Sequence, residues 1–519
     1  MPCWVDVPDA LRLADLLAAL SLTTDLAMGQ PPEKAIRACV LATEMARHLD
    51  ASDADVACVY YTTLLKHLGC TATSHEETLL FGNDLAMRPL AERTDEAEPR
   101  ELLAFLSAVG RGTGLRRAGH VVRTATGRAE SMAIYRAICE VATQMSERLH
   151  LGDDVTQALY QTIERWDGKG APQGLAGEDI AFAARLAEPA TQAVIFHRLG
   201  GVDGALAMMD RRSGGMFDPA AVEAFRAIGP GTLERLDDAD PWTAVLDAEP
   251  TPVRTVEAGR LEHVAEAFAD MVDLRSTVTL GHSSGVAELA RSAAERLGLP
   301  DPHSVRLTAL LHDLGRSAVG AVVWEKRGPL STTEWERVRL HPYHTERILM
   351  RSSVLEPFAR PAAMHHERLD GSGYHRGAMA AETPPAARVI AVADAFQAMT
   401  QRRPYRAALG PDRAADVVSS QLLEGRFDSE CVEAVLAAAG QTRPMGKRPW
   451  PAGLTDREIE VLRLVARGES NRGVARALVI SPRTAEHHVQ HIYAKIGVST
   501  RAAAAMFAMQ HGLLPDRAG

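Results

Sequence analysis

A chain of 519 residues, 46% hydrophobic and 24% charged, is long enough for about three domains, each with a core of its own. Its six cysteines (Cys3, Cys39, Cys58, Cys70, Cys139 and Cys431) form neither a C-x-x-C pair nor a dense framework, which argues against a zinc ribbon or disulfide scaffold and fits a reducing cytosol. The formal net charge of −10 is uneven: residues 451–519 carry nine Arg or Lys against six Asp or Glu, a surplus of +3 that leaves −13 elsewhere, as expected if only that end meets a phosphate backbone.

At the N-terminus there is no basic leader, and the apolar run from Leu16 to Leu20 is short and flanked by Asp15 and Asp25, so no membrane association is expected. Further on, Leu, Ala and Val recur at spacings of three and four, as in Ser283 to Leu297 and Ala414 to Leu423, with no convincing alternating run. The expected fold class is all-α. Proline-rich breaks at Ala248 to Pro252 and Gly440 to Gly453 suggest helical domains over 10–240 and 257–440, a linker over 441–453 and a small domain over 454–515.

The first two segments repeat each other. TLLKHLGCTA from Thr63 parallels ALLHDLGRSA from Ala309; ERWDGKGAPQG from Glu164 parallels ERLDGSGYHRG from Glu367; FDPAAVEAF from Phe217 parallels FDSECVEAV from Phe427. The offset falls from 246 to 203 and ends at 210, so the first copy carries 43 extra residues, expected near Glu76 to Gly127, and the second carries seven late in its length.

The second copy holds His282, the adjacent His312 and Asp313, His341, the adjacent His365 and His366, and Asp394. Imidazoles mixed with carboxylates suit first-row transition metals, a shared carboxylate can bridge two ions, and seven candidates are too many for one. With DGSGY at Asp370 and RRPYR at Arg402, these residues resemble the HD-GYP branch of the HD-domain phosphohydrolases over about Thr279 to Gly440.

That resemblance implies a helical metallophosphodiesterase that opens cyclic di-GMP or a similar cyclic dinucleotide. It further implies two divalent transition-metal ions, iron or manganese, held by His282, His312, Asp313, His341, His365, His366 and Asp394, with Asp313 bridging. It casts Asp313 and Arg316 as catalytic, and Arg316, Asp370, Gly371, Gly373, Tyr374, Arg403 and Tyr405 as substrate-binding. Two cations of this kind acidify a water and neutralise charge on the attacked phosphate. Several positions depart from the family pattern: Arg316 replaces Lys, His375 ends the GYP triplet, His344 and Gly285 stand where Gly and Arg are usual, and Val278 takes the place of a third metal's Glu.

In the first copy the aligned positions are Ile36, Lys66, His67, Thr162, Ile163 and Thr191, which cannot form the metal set. Asp167, Gly168 and Gly170 persist and read as turn chemistry.

From Leu454 the pattern predicts four short helices. Thr455 with Glu458, Ser470, Ser481 with Pro482, and Ser499 are start signals, and Gly468 and Gly497 are stops. The third helix has an apolar stripe of Ala485, Val489, Ile492 and Ile496, and opposite it Glu486, His487, Gln490 and Tyr493. LTDRE and KIGVSTR make this segment similar to LuxR-type DNA-binding domains. The resemblance implies base contacts by Glu486, His487 and Gln490 in double-stranded DNA, with Arg483, Thr484, His491 and Lys495 at phosphates, and binding as a homodimer.

Together these features point to a cytoplasmic transcriptional regulator carrying a cyclic-dinucleotide phosphodiesterase domain. The alternatives are a non-catalytic ligand sensor with a metal-stabilised fold, and a phosphohydrolase acting on another nucleotide.

Overall fold

The computed structural model describes residues 10–111, 114–441, 450–466, 468–499, 501–511 and 513. Most of the expected linker, residues 442–449, lies outside the described residues. The fold is helical throughout; among the described residues the only strands are Ala10–Arg12 and Thr255–Glu257. No helix there is long and apolar enough to cross a membrane.

The repeat is a repeat of helices. Lys34–His48 and Asp53–Leu65 in the first copy correspond to His282–Arg296 and Pro302–Leu311 in the second, and Asp153–Tyr160 corresponds to Glu356–Ala363. The 43-residue excess falls within a stretch of four helices, Ser74–Phe81, Asp84–Ala91, Pro99–Ala108 and Arg117–Thr126, of which the first stands where the second copy has Ala321–Trp324 and the other three form the insertion. The seven-residue excess of the second copy is the loop after Pro385–Thr400; the first copy there bends its Phe182–Arg212 helix at Gly200 and Gly201, the latter at φ +65°.

The expectation of separate cores for the first two segments is corrected by the structure. One continuous apolar cluster runs from Leu11 to Leu436 and includes both copies. The reason is the Leu13–Ala27 helix, which carries apolar residues on every side and is buried along almost its whole length between the copies. Its two acids need partners there: Asp15 accepts from Ser352 of the second copy, and Asp25 accepts from the Ala35 N–H at 3.1 Å. The two strands pair antiparallel, Leu11 opposite Val256, each just ahead of its copy's first helix. That ribbon is too short to show as alternation in the sequence.

The C-terminal unit has its own cluster, from Leu454 to Leu513, with Trp450 packed against it. Trp450 also donates from Nε1 to Asp456 at 2.6 Å, so the packed unit includes a residue four positions before Leu454.

Candidate metal centre

Each candidate ligand sits at a helix end or on a buried helix face. His282 opens His282–Arg296, and Asp273 pins that first turn by accepting from the Ser283 N–H at 2.8 Å and from its hydroxyl at 3.0 Å. His312 and Asp313 follow Pro302–Leu311, His341 opens His341–Leu349, His365 and His366 follow Glu356–Ala363, and Asp394 lies within Pro385–Thr400.

Three of the imidazoles are oriented alike. Nδ1 of His312 donates to the Ala309 carbonyl, that of His341 to Val338 and that of His365 to Ala362, all at 2.6 Å. His282 uses Nδ1 on Gln401 Oε1 at 2.9 Å. With Nδ1 carrying the proton, each Nε2 offers a lone pair to the centre.

Asp313 stands between two groups of histidines. Its Oδ2 lies 3.3 Å from His312 Nε2 and 3.8 Å from His282 Nε2, and its Oδ1 lies 3.3 Å from His341 Nε2 and 3.6 Å from His365 Nε2. Asp394 reaches His282 Nε2 at 3.0 Å through Oδ1 and His366 Nδ1 at 3.6 Å through Oδ2. Potential ligand atoms of His282, His312 and Asp394 fall within 4.8 Å of one another, and so do those of His341, His365 and His366.

This donor set fits a cation. His341 and His365 bring two Nε2 lone pairs to 3.1 Å although both ring protons are spent elsewhere, a repulsive contact that a positive ion relieves. His312 Nε2 is buried without a hydrogen bond, its approach to Asp313 lacking the geometry for one. Burial and the charge of His312 push His365 down to about 3, keeping it neutral as a ligand must be. Without an ion His312 goes the other way: burial opposes a proton, but Asp313 outweighs it and holds the imidazole up to about 9, so a cation bound there would have to displace that proton.

Arg316, expected to grip phosphate, donates to Asp313 Oδ2 at 2.7 Å and stacks its guanidinium 4.3 Å over the Trp324 ring. Tyr374 lies against His366 at 4.7 Å between centroids, at the edge of the cluster. Arg403 donates to the Val278 carbonyl at 3.3 Å, and Tyr405 is exposed. Asp370 is committed to its own turn: its carboxylate accepts from the Ser372 N–H at 3.0 Å and hydroxyl at 2.6 Å, and Gly371 sits at φ +78°. Gly373 lets the loop close on itself, since a Cβ there would stand 2.4 Å from Arg368 N.

Asp167, Gly168 and Gly170 build the same turn in the first copy. Gln401, Trp324 and Asp273 escaped the sequence reading. Glu367 did leave a signal, standing with Glu164 in the repeated ER-x-DG; each gathers backbone N–H groups of its loop, Glu367 from Arg376 and Ala378, Glu164 from Gln173 and Leu175.

In the first copy an internal cation occupies the corresponding place. Lys66 pairs with Glu188, while Glu92 is shared by Lys34 at 2.7 Å and His67 at 2.9 Å. Ile36, Thr162 and Thr191 are buried as well.

The C-terminal unit folds as Asp456–Ala466, Asn471–Ala477, Pro482–Ile496 and Arg501–Gln510. Ser470 caps the second helix through the Gly473 N–H at 3.2 Å, and Ser481 caps the third through the Thr484 N–H at 3.1 Å. Ala485, Val489 and Ile492 are buried, and Arg483, Glu486, His487, Gln490 and His491 are exposed. Tyr493 differs from expectation by packing partly on the core. Lys495 differs too, because its ammonium is held by Glu458 at 2.7 Å and the Gly453 carbonyl at 3.0 Å. The Thr484 hydroxyl is engaged with Ser481 at 2.7 Å.

Comparison with known proteins finds two families along the chain. The HD domain family matches residues 119–221 and 266–431, and the luxR family of bacterial regulatory proteins matches residues 452–508. A 3'3'-cGAMP-specific phosphodiesterase of Vibrio cholerae serotype O1 is 30% identical over 438 residues, 82% of this chain and 94% of its own. A cyclic di-GMP phosphodiesterase of Thermotoga maritima is 35% identical over 181 residues, 34% of this chain and 49% of its own. The crystal structure of a cyclic GMP-AMP-specific phosphodiesterase of V. cholerae superposes with a TM-score of 0.59 at 27% identity, covering 84% of this chain and 99% of that one. With its duplicated helical body and its helix-turn-helix unit, the chain belongs to the HD-domain family, its relatives are HD-GYP cyclic dinucleotide phosphodiesterases, and it carries a LuxR-family domain.

Proposed function

We propose that this chain is a DNA-binding regulator whose second HD copy hydrolyses a cyclic dinucleotide such as cyclic di-GMP or 3'3'-cGAMP. The observation that carries the reading is Asp313, with one carboxylate oxygen facing His282 and His312 and the other facing His341 and His365. In this reading His282, His312 and Asp394 hold one divalent cation, His341, His365 and His366 hold a second, and Asp313 serves both. Iron and manganese suit such imidazole and carboxylate sets. When bound, the ions supply an acidified water and charge neutralisation at the phosphate.

The chain's own groups do the rest. Arg316 fixes the orientation of Asp313 and keeps a permanent positive charge beside the site. The Tyr374 ring beside His366 offers an apolar face for a base or ribose, and Arg403 adds a second cation near Arg316. Val278 offers no carboxylate for a third ion.

The exposed residues Glu486, His487 and Gln490 on the helix after the tight turn are suited to base edges, with Arg483 and His491 at flanking phosphates. Lys495, tied to Glu458, is left out of that set. Two copies on inverted half-sites would complete a LuxR-type arrangement.

The test is to incubate the purified full chain, loaded with manganese or ferrous iron, with cyclic di-GMP and 3'3'-cGAMP and to separate the products by ion exchange. Linear dinucleotide from at least one substrate is expected. Tight nucleotide binding without turnover would overturn the enzymatic reading in favour of a ligand sensor.

A further inference from the structure

The 43-residue insertion of the first copy has no counterpart in the second, and the proposed reaction gives it no role. It touches the second copy at a particular place, the short helix Ala321–Trp324. Asp84, wholly buried, accepts from the Ala321 N–H at 3.0 Å through Oδ1 and pairs through Oδ2 with Arg275 of the second copy at 3.1 Å. The same Arg275 guanidinium donates to the Val319 carbonyl at 3.3 Å. At the other end of the short helix, Glu325 accepts from Ser276 at 3.0 Å and binds His75 of the first copy, just ahead of the insertion, at 2.6 Å. Gly320 completes the fit, since a Cβ there would come to 3.0 Å from Asp84 Oδ1.

What the clamp holds is Trp324. That ring lies 4.3 Å beneath the Arg316 guanidinium and 6.0 Å from His341, and Arg316 is the group that donates to Asp313 Oδ2. A line of direct contacts therefore runs from Asp84 through the short helix and Trp324 to Arg316 and the shared carboxylate. A buried carboxylate that bonds a helix N–H and a guanidinium together fixes both, and its loss strands the guanidinium without compensation.

We propose that the insertion is a buttress for the second copy's metal centre, with Asp84 as a positioning residue that acts through Trp324 on Arg316 and Asp313. This rests on the phosphodiesterase reading for its activity readout and on the fold alone for its spectroscopic one.

The experiment is a double-mutant cycle in the manganese-loaded full chain, with Asp84→Ala, Trp324→Phe and the pair together, and with Arg226→Ala, which breaks an exposed first-copy pair with Asp210, as a control. Displacing a catalytic group slightly is expected to lower kcat of Asp84→Ala by about 10- to 100-fold, with KM held within about 2-fold. The pair should be no slower than Trp324→Phe, and Arg226→Ala should keep kcat. The Trp324 emission, taken as the difference from Trp324→Phe, should change in the Asp84→Ala background. Unchanged kcat and unchanged Trp324 emission in Asp84→Ala, or losses that multiply in the pair, would overturn the buttress. If the wild type binds manganese but turns nothing over, the proposed activity fails by itself, and manganese affinity and Trp324 emission read the same cycle.

Discussion

Replacing Lys66 by Met tests the claim that the first copy keeps its former metal position closed with an internal cation. Lys66 and Glu188 pair with side chains only 9% and 16% exposed, and Glu92 stands beside them, held by Lys34 and His67. The substitution keeps the stem and removes the charge, leaving Glu188 buried with Gln192 as its remaining donor. Breaking one side of a buried pair costs about 3–5 kcal/mol. The pH dependence has a definite sign. In the wild type, burial raises the Glu188 pKa but Lys66 wins and holds it low, so the stabilisation is present above the unfolded carboxylate range and lost only as pH falls through the lower folded value. In the variant burial is opposed only by the Gln192 hydrogen bond and the neighbouring His67, the folded pKa is expected above the unfolded one, and the cost is then greatest at high pH. Lowering the pH should then recover about 1.4 kcal/mol per unit while Glu188 titrates in the folded state. Urea unfolding of the full chain, followed by circular dichroism at pH 7.5 and 5.5, measures this. The deficit should be large at pH 7.5 and clearly smaller at pH 5.5, and adding Glu188→Leu should restore much of it. A variant as stable as the wild type, or a deficit equal at both pH values, would refute the reasoning.

Gln401→Ala removes the acceptor that orients His282, so manganese affinity measured by calorimetry should fall by about 10- to 100-fold with little change in helicity. Arg483→Ala should weaken binding across DNA sequences alike and reduce the slope of log affinity against log salt by about 1, whereas loss of sequence preference without a change in slope would place Arg483 at a base instead.

The clustering of the candidate ligands was legible because they are mostly polar residues at helix ends, where His and Asp interrupt an Ala- and Leu-rich pattern. His312 with Asp313 and His365 with His366 stand out for that reason. The division of labour between the two oxygens of Asp313 was not legible, since it depends on helices 28 or more residues away in the chain. Gln401 lies just past a helix in the loop that the first copy lacks, and Trp324 sits in a four-residue helix; neither residue type announces a site. The shared core was hidden for another reason. The Leu16 to Leu20 run reads as one ordinary apolar stretch, and only packing shows that both copies need it. Lys495 was misplaced because a lysine on a recognition helix looks the same in sequence whether it faces phosphate or, as here, Glu458 on a neighbouring helix.

The central claim is that Asp313 joins two metal positions, and metal content tests it most directly. Purified chain saturated with manganese and freed of excess should hold two ions per chain, His366→Ala should retain one, and Asp313→Ala should retain neither tightly. Two tightly held ions in Asp313→Ala, or a wild type that holds none, would contradict the account.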